Sequence, residues 1–254
     1  MKEEIMPPVD CRRMYSDLAW LFPLISPPDE YTYEATELWE TIKHHAKLQP
    51  KTLLDLGSGA GHLDYHLKKH LNITAVDCSD KMVEIARQLN PEVKYHVNDM
   101  RRIRLGIQYD VVLIADSLIY MLSEDDLRSA FKTAFEHLAP NGIFLTYLDA
   151  FRDHPRENEV RHSTYYYDNL VVTHIEHYFD PDPSDTTYEM IFINIIRANG
   201  KFNIELDHHL GGIFDLELYS RLLREVGFHV IKSFLRVQSV PMFVCKKNSS
   251  FKKK

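Results

Sequence analysis

Between residues 51 and 148 the chain alternates short apolar runs with helical stretches, and this rhythm restricts the fold more than any other feature. KTLLDLG is an apolar run ending in a glycine turn, and HLDYHLKKHL follows with leucines at 63, 67 and 71, a helical spacing. NITAVDCS is a second run, with Ser79 and Asp80 as helix-start residues before KMVEIARQL. VKYHVND and YDVVLIAD are the third and fourth runs. Ser123 is the expected N-cap of SEDDLRSAFKTAFEHL, Asn141–Gly142 the expected closure of that helix, and GIFLTYLDA the fifth strand. Strand and helix in this order imply right-handed βαβ crossovers and a mostly parallel sheet covered on both faces. Strands buried on two faces should be continuously apolar, as TLLDL and VVLIA are.

The rhythm breaks near residue 150. FRDHPRENEVRH, residues 151–162, is polar and loop-like. STYYYDNLVVTHIEHYF, TTYEMIFINIIRA and KFNIELDHHL then form three β-rich stretches, split by DPDPSD and by Asn199–Gly200. Connections this short imply antiparallel hairpins. The helix FDLELYSRLLREVG and the strands FHVIKSFL and MFVCKK resume the first layout. The expected division is an N-terminal helical cap (1–45), a ligand-binding domain in two pieces (46–150 and 213–247), an antiparallel insertion (151–212) and a disordered basic tail (248–254). The cap carries Tyr15, Trp20, Tyr31, Tyr33 and Trp39, which either fold over a site or cover the open end of the sheet.

Three of the nine glycines fall within five residues, Gly57, Gly59 and Gly61 of LLDLGSGAG. A bare turn between a first strand and its helix lets a ligand approach the backbone. A dinucleotide site prefers GxGxxG; here the third glycine comes one residue early, and His62 follows. Asp55 would repel a diphosphate and suits a cation such as an ammonium. Asp77 ends the second strand, where a carboxylate can accept both hydroxyls of a ribose. Asp99 ends the third, within reach of an adenine amino group, and Asp116 ends the fourth. Acids at the carboxyl ends of four successive strands favour a ligand with a ribose, a base, net positive charge and no phosphate.

S-adenosylmethionine meets that description, and the chain here resembles the class I S-adenosylmethionine-dependent methyltransferases. The resemblance rests on LLDLGSGAG, TAVDCSDKM, VNDMRR, YDVVLIADSLIYML and APNGIFLTYLD. It covers residues 50–150 and a tail whose order fits the family's antiparallel last strand. It implies a Rossmann-like, seven-stranded, mostly parallel sheet with an antiparallel β insertion after the fifth strand. It also implies that Gly57, Ser58, Gly59 and Gly61, supported by Asp55, form the methionine-side turn. By the same resemblance Asp77 is the ribose acid with Cys78 and Met82 beside the adenosine, and Asp99 and Met100 are adenine contacts. Asp116 and Ser117 would line the methyl end. Asp99, followed by Arg101 and Arg102, can equally be an ion-paired loop carboxylate.

In layout the chain is most similar to amino-sugar N,N-dimethyltransferases and related small-molecule N-methyltransferases. That similarity implies that Tyr15 and Tyr33, in MYSDLAW and EYTYEA, close over cofactor and substrate, and that Tyr120 meets the acceptor. Tyr15 and Tyr120 are the expected catalytic, acceptor-positioning groups. Transfer to an amine needs alignment, loss of a proton and exclusion of water, so no obligatory base motif is expected. The insertion is read as a substrate lid or a homodimer interface, its tyrosines 165, 166, 167, 178 and 188 either binding the acceptor or packing the sheet.

A net charge of −7 disfavours nucleic acid and anionic membranes, and the longest apolar run, Val111–Ala115, cannot span a bilayer. Cys11, Cys78 and Cys245 form no CxxC pair, so the cytoplasm is the expected location. His62, His66 and His70 share one helical face but supply no full ligand set, and no metal is expected. His177 or His209 is a candidate proton carrier. The rival functions are an NAD(P)-dependent oxidoreductase, opposed by Asp55 and the early glycine, and a non-catalytic cofactor-binding protein.

Overall fold

A computed structural model describes residues 10–148, 151–152 and 158–247 of the chain. The expected disordered tail lies outside these residues, as does part of the polar stretch after residue 150. The described chain opens with 3-10 turns at Arg13–Tyr15 and Ala19–Leu21, the short helix α1 (Phe22–Ile25), a further 3-10 turn at Pro28–Tyr31, and α2 (Thr32–His45). The α/β unit then follows as β1 (Thr52–Leu56), α3 (His62–Leu67), β2 (Asn72–Asp77), α4 (Asp80–Leu89), β3 (Lys94–Val97), β4 (Tyr109–Ile114), a 3-10 turn at Ser117–Tyr120, α5 (Glu124–His137) and β5 (Leu138–Tyr147). The insertion comprises β6 (Glu159–Tyr167), β7 (Leu170–Phe179), β8 (Thr187–Ala198) and β9 (Lys201–Gly212), and α6 (Leu216–Val226), β10 (Phe228–Leu235) and β11 (Val240–Lys247) complete the fold.

The main sheet has seven strands in the order β10-β11-β5-β4-β1-β2-β3, and β11 runs antiparallel to both neighbours. This is the expected sheet, with a separate four-stranded antiparallel sheet β6-β7-β8-β9 after the fifth strand. Leu54, Leu56, Val112, Ile114 and Phe144 face α5 and α6 in one core, while Leu53, Ala75, Val111, Leu113 and Leu145 face α2, α3 and α4 in the other. Burial on both faces is why these strands read as unbroken apolar runs. The caps behave as expected: Ser79 Oγ accepts the Met82 N–H at 3.0 Å, and Ser123 Oγ accepts the Asp126 N–H at 3.2 Å.

Three local expectations are corrected. Asn141–Gly142 does not close α5, which ends at His137; the pair lies within β5, at a register shift against β4, with Asn141 at φ 67°. Helix α3 stops at Leu67, although Leu63, Leu67 and Leu71 are all buried as their spacing implied. STYYYDNLVVTHIEHYF is two strands, because Asp168–Asn169 forms a two-residue hairpin turn between the paired Tyr167 and Leu170.

The direction of strand succession reverses between β1 and β4, so a crevice opens beyond their carboxyl ends. The N-terminal segment crosses that crevice. Asp207 of β9 accepts the backbone N–H groups of Arg13 and Met14 at 2.7 and 2.6 Å, and Ser79 Oγ donates to the Tyr15 carbonyl at 2.5 Å. The insertion and the main sheet thus hold one strap from opposite sides.

Candidate active site

The turn after β1 meets the turn after β4 at the reversal point. A Cβ on Gly57, at φ 86°, would lie 2.2 Å from Ser117 Oγ and 2.7 Å from Met100 Cε, so only glycine permits the approach. Gly59, at φ 53°, faces open space instead. Its N–H donates to Asp77 Oδ2 at 2.8 Å while the Ser79 N–H donates to Asp77 Oδ1 at 2.8 Å, which fixes the second acid against the first turn. Each of these oxygens keeps a further lone pair for a hydroxyl. Burial pushes the Asp77 carboxyl up, and the N–H groups of Ser79 and Gly59 oppose it.

These turns border a cavity of about 360 Å³. Asp55, Gly57, Ser58, Gly59, Asp77 and Cys78 line it, as do Asp99, Met100, Asp116, Ser117, Tyr15 and Tyr120. Asp55 is 2% exposed, and its Oδ1 has no hydrogen-bond partner among the described residues. Burial, reinforced by the neighbouring Asp64 carboxyl, raises its pKa well above the ordinary carboxylate range. Ser58 Oγ and both ring nitrogens of His62 are likewise buried without partners. Burial, and then His66, lower the His62 pKa to about 4, so its ring is neutral near pH 7.

Three expected residues lie elsewhere. Gly61 does not border the cavity: a Cβ there would strike Tyr95 Oη at 2.4 Å and Asn90 Nδ2 at 2.8 Å, so its bareness serves helix packing. Met82 is fully buried beside Ala19 and Ala60, under the glycine turn. Tyr33 is 77% exposed on the outer side of α2, and Tyr31 takes the place expected of it. Buried Ala35, Leu38 and Ile42 mark the inner stripe of α2, which is in phase with Tyr31 and Glu34 and out of phase with Tyr33. Asp99 borders the cavity but is ion-paired, accepting from Arg101 Nη2 at 2.6 Å, and Arg101 also meets Asp126. The loop-carboxylate alternative describes its present contacts.

Residues missed in the sequence include His62, Glu34, Tyr147 and Gln238. Glu34 is 4% exposed at the cavity wall, and Tyr147 Oη and Gln238 Nε2 both donate to it. The helical phase of EYTYEATELWETI could have found Glu34; nothing local in the sequence pairs it with Tyr147.

A second cavity, of about 430 Å³, lies between the N-terminal strap and the inner face of the antiparallel sheet. Glu30, Arg161, His174, Glu176, Tyr178 and Phe192 are among its walls. The two cavities share Tyr15, Phe22, Tyr31, Asp116, Ile119 and Tyr120. At that junction Tyr15 Oη lies 2.9 Å from Tyr120 Oη, which lies 2.9 Å from His209 Nδ1. His177, the other candidate proton carrier, stacks on Phe179 on the opposite face of the sheet and is absent from both cavities. Among the described residues no group of three or more His, Cys, Asp or Glu could hold a metal ion.

The fold is the one shared by class I methyltransferase domains. The donor set fits S-adenosylmethionine: a buried carboxyl, Asp55, whose Oδ1 has no partner among the described residues, for its ammonium, neutral Ser58 and His62 donors for its carboxylate, and Asp77 for its ribose. Residues 53–142 match the family model described as a methyltransferase domain. Over 150 residues the chain is 28% identical to dTDP-4-amino-2,3,4,6-tetradeoxy-D-glucose N,N-dimethyltransferase of Saccharopolyspora spinosa, covering 58% of this chain and 60% of that one. It is 25% identical to dTDP-3-amino-3,6-dideoxy-alpha-D-glucopyranose N,N-dimethyltransferase of Streptomyces fradiae, covering 79% of this chain and 78% of that protein. The crystal structure of Streptomyces venezuelae DesVI superposes with a TM-score of 0.81 at 23% identity, covering 92% of this chain and 98% of DesVI, which establishes the shared fold.

Proposed function

We propose that the chain transfers a methyl group from S-adenosylmethionine to an amine nitrogen of a small acceptor, and that the acceptor is an amino sugar. The observation that carries the reading is the meeting of two cavities at Tyr15 and Tyr120. One cavity offers acids and bare backbone to a cationic adenosyl compound, and the other offers carboxylates and aromatic faces to an amine. The acceptor's identity draws on the relatives named as N,N-dimethyltransferases of dTDP-linked amino sugars.

When bound, S-adenosylmethionine supplies a methyl group on a positively charged sulfur whose thioether is a good leaving group. The residues around the cofactor contribute by position. The glycine turn and Asp55 hold the methionine end, Asp77 takes the ribose hydroxyls, and Asn98 to Met100 border the base. Tyr15 and Tyr120 orient the acceptor nitrogen, and the strap excludes water. An NAD(P)-dependent oxidoreductase is disfavoured because the buried Asp55 opposes a diphosphate at the turn.

The inner face of the antiparallel sheet acts as the acceptor lid in this reading, and its outer face joins two copies. Val160, Tyr166, Phe202 and Ile204 stand exposed there beside Val171, Ile175, Ile193 and Ile195, all on one face by their register. Four strands about 4.8 Å apart and roughly ten residues long give a plane of about 650 Å², close to the ~800 Å² per partner of a stable interface. Light scattering should report a dimer that Ile193→Asp dissociates; a monomeric wild type refutes the pairing.

Among the described residues no helix is long and apolar enough to cross a membrane. Cys11, Cys78 and Cys245 are free, consistent with the proposed cytoplasmic location. The test of function is incubation with S-adenosylmethionine and the dTDP-amino sugars named above, read by mass spectrometry. Gain of one or two methyl groups is expected. Binding of S-adenosylhomocysteine with no transfer to any amine would favour the non-catalytic reading.

A further inference from the structure

The junction of the cavities ends a buried hydrogen-bonded row that begins at Asp207. This carboxylate is fully buried and accepts the Arg13 and Met14 N–H groups, the Cys11 thiol at 3.1 Å and His209 Nε2 at 2.7 Å. Burial alone would raise its pKa, but His209 and the two backbone N–H groups hold it at about 2. It is therefore ionised and can only accept.

The polarity of the whole row follows from that end. His209 must carry its proton on Nε2 to serve Asp207, which leaves Nδ1 of the neutral ring as an acceptor. Tyr120 then donates to Nδ1, and Tyr120 Oη is left to accept from Tyr15. Tyr15 Oη faces the junction with free lone pairs. Burial raises the pKa of both phenols, so each stays a neutral proton carrier.

We propose that Asp207, His209, Tyr120 and Tyr15 form a proton relay that draws a proton off the acceptor's ammonium group before it attacks. The proposal rests on the methyltransferase reading above. An ammonium has no lone pair. One N–H proton passes to Tyr15 Oη, the Tyr15 proton to Tyr120 Oη, and the Tyr120 proton to His209 Nδ1. The sum is one proton moved from nitrogen to imidazole, with the imidazolium held against the Asp207 carboxylate. Each later methylation of the same nitrogen needs the same removal.

The charged and titratable groups around His209 support this direction. Asp207 lies on its own strand and Asp10, held by the Leu210 N–H, attracts the imidazolium. Tyr15 and Tyr120 approach from the strap and the turn after β4, and Phe192 of β8 packs edge-on at 4.8 Å. Arg12 is the opposing charge. Its guanidinium sits 4.7 Å over the Tyr120 ring but is paired with Asp10 at 2.6 Å. His209 has no exposed surface, so bulk water cannot take the proton directly.

Two measurements test the relay. Long-range proton–nitrogen NMR, with His209 assigned by comparison with His209→Gln, should find the neutral ring protonated on Nε2; a ring protonated on Nδ1 reverses the row and overturns the proposal. With dTDP-3-amino-3,6-dideoxy-alpha-D-glucopyranose as acceptor, His209→Gln should lower kcat about 100-fold near pH 7. The loss should recover about tenfold per pH unit as free amine accumulates in solution. Affinity for S-adenosylhomocysteine, measured by calorimetry, should be unchanged. Tyr120→Phe keeps the ring, breaks the row and should show the same pH profile. Unchanged turnover by both variants at every pH refutes the relay and leaves the methyltransferase reading intact. Failure of the wild type to methylate any amine refutes that reading, and the relay with it.

Discussion

Gly57 and Gly59 are two residues apart, both have positive φ, and alanine at each should fail for a different reason. At Gly57 the new methyl would lie 2.2 Å from Ser117 Oγ and 2.6 Å from Ser117 Cβ, so the turns after β1 and β4 must part. The left-handed backbone costs an alanine about 1–2 kcal/mol, and overpacking adds about 1–3 kcal/mol. Together these predict a loss of about 2–5 kcal/mol, or a Tm lowered by roughly 5–15 °C in a chain of this size. At Gly59 the methyl meets no protein atom within 4 Å, so only the backbone cost applies. That methyl enters the cavity proposed for the cofactor, and affinity for S-adenosylhomocysteine should fall at least about tenfold, or 1.4 kcal/mol. Differential scanning fluorimetry with and without S-adenosylhomocysteine separates the two. Gly57→Ala should melt early, whereas Gly59→Ala should melt within a few degrees of wild type and lose most of the ligand's stabilisation. Equal melting temperatures, or full ligand affinity in Gly59→Ala, would refute the assignment of one glycine to the fold and the other to the ligand.

The buried acid pair sets a pH dependence. Burial raises Asp64 to about 6 and Asp55 also upward, whereas unfolded carboxyls titrate near 3.9. A raised folded pKa gives stability that is complete below about 4 and is lost as pH rises through about 6. Asp64→Asn should therefore gain about 1–3 kcal/mol over wild type at pH 7.5 and nothing at pH 4 in urea titrations. Affinity for S-adenosylhomocysteine should rise with pH as Asp55 ionises, because the ligand's ammonium favours the carboxylate; a flat calorimetric profile would contradict that placement. On α2, Tyr31→Ala should weaken acceptor binding at least about fivefold while the exposed Tyr33→Ala changes neither KM nor kcat, and the reverse pattern would show the helix phase to be wrong.

The sequence displayed what repeats and what is local. TLLDL and VVLIA read as doubly buried strands, Ser79 and Ser123 read as caps, and the acids at strand ends marked the rim because strand order places carboxyl ends together. Aromatic type alone points to Tyr33, but helical phase decides: the buried Leu38 and Ile42 stripe selects Tyr31 and Glu34. The packing role of Gly61 is not legible locally, because its clash partners, Tyr95 and Asn90, are distant in sequence. The hairpin at Asp168–Asn169 was hidden within a run of aromatics and β-branched residues. The Asp207–His209–Tyr120–Tyr15 row joins residues 192 positions apart, and only the packing of the strap between two sheets brings them together.

Calorimetric titration of the free protein with S-adenosylhomocysteine and, separately, NADH addresses the central claim most directly. An acid-lined, phosphate-averse cavity predicts saturable heat with the adenosyl compound and none with the dinucleotide. Uptake of NADH alone would contradict the account.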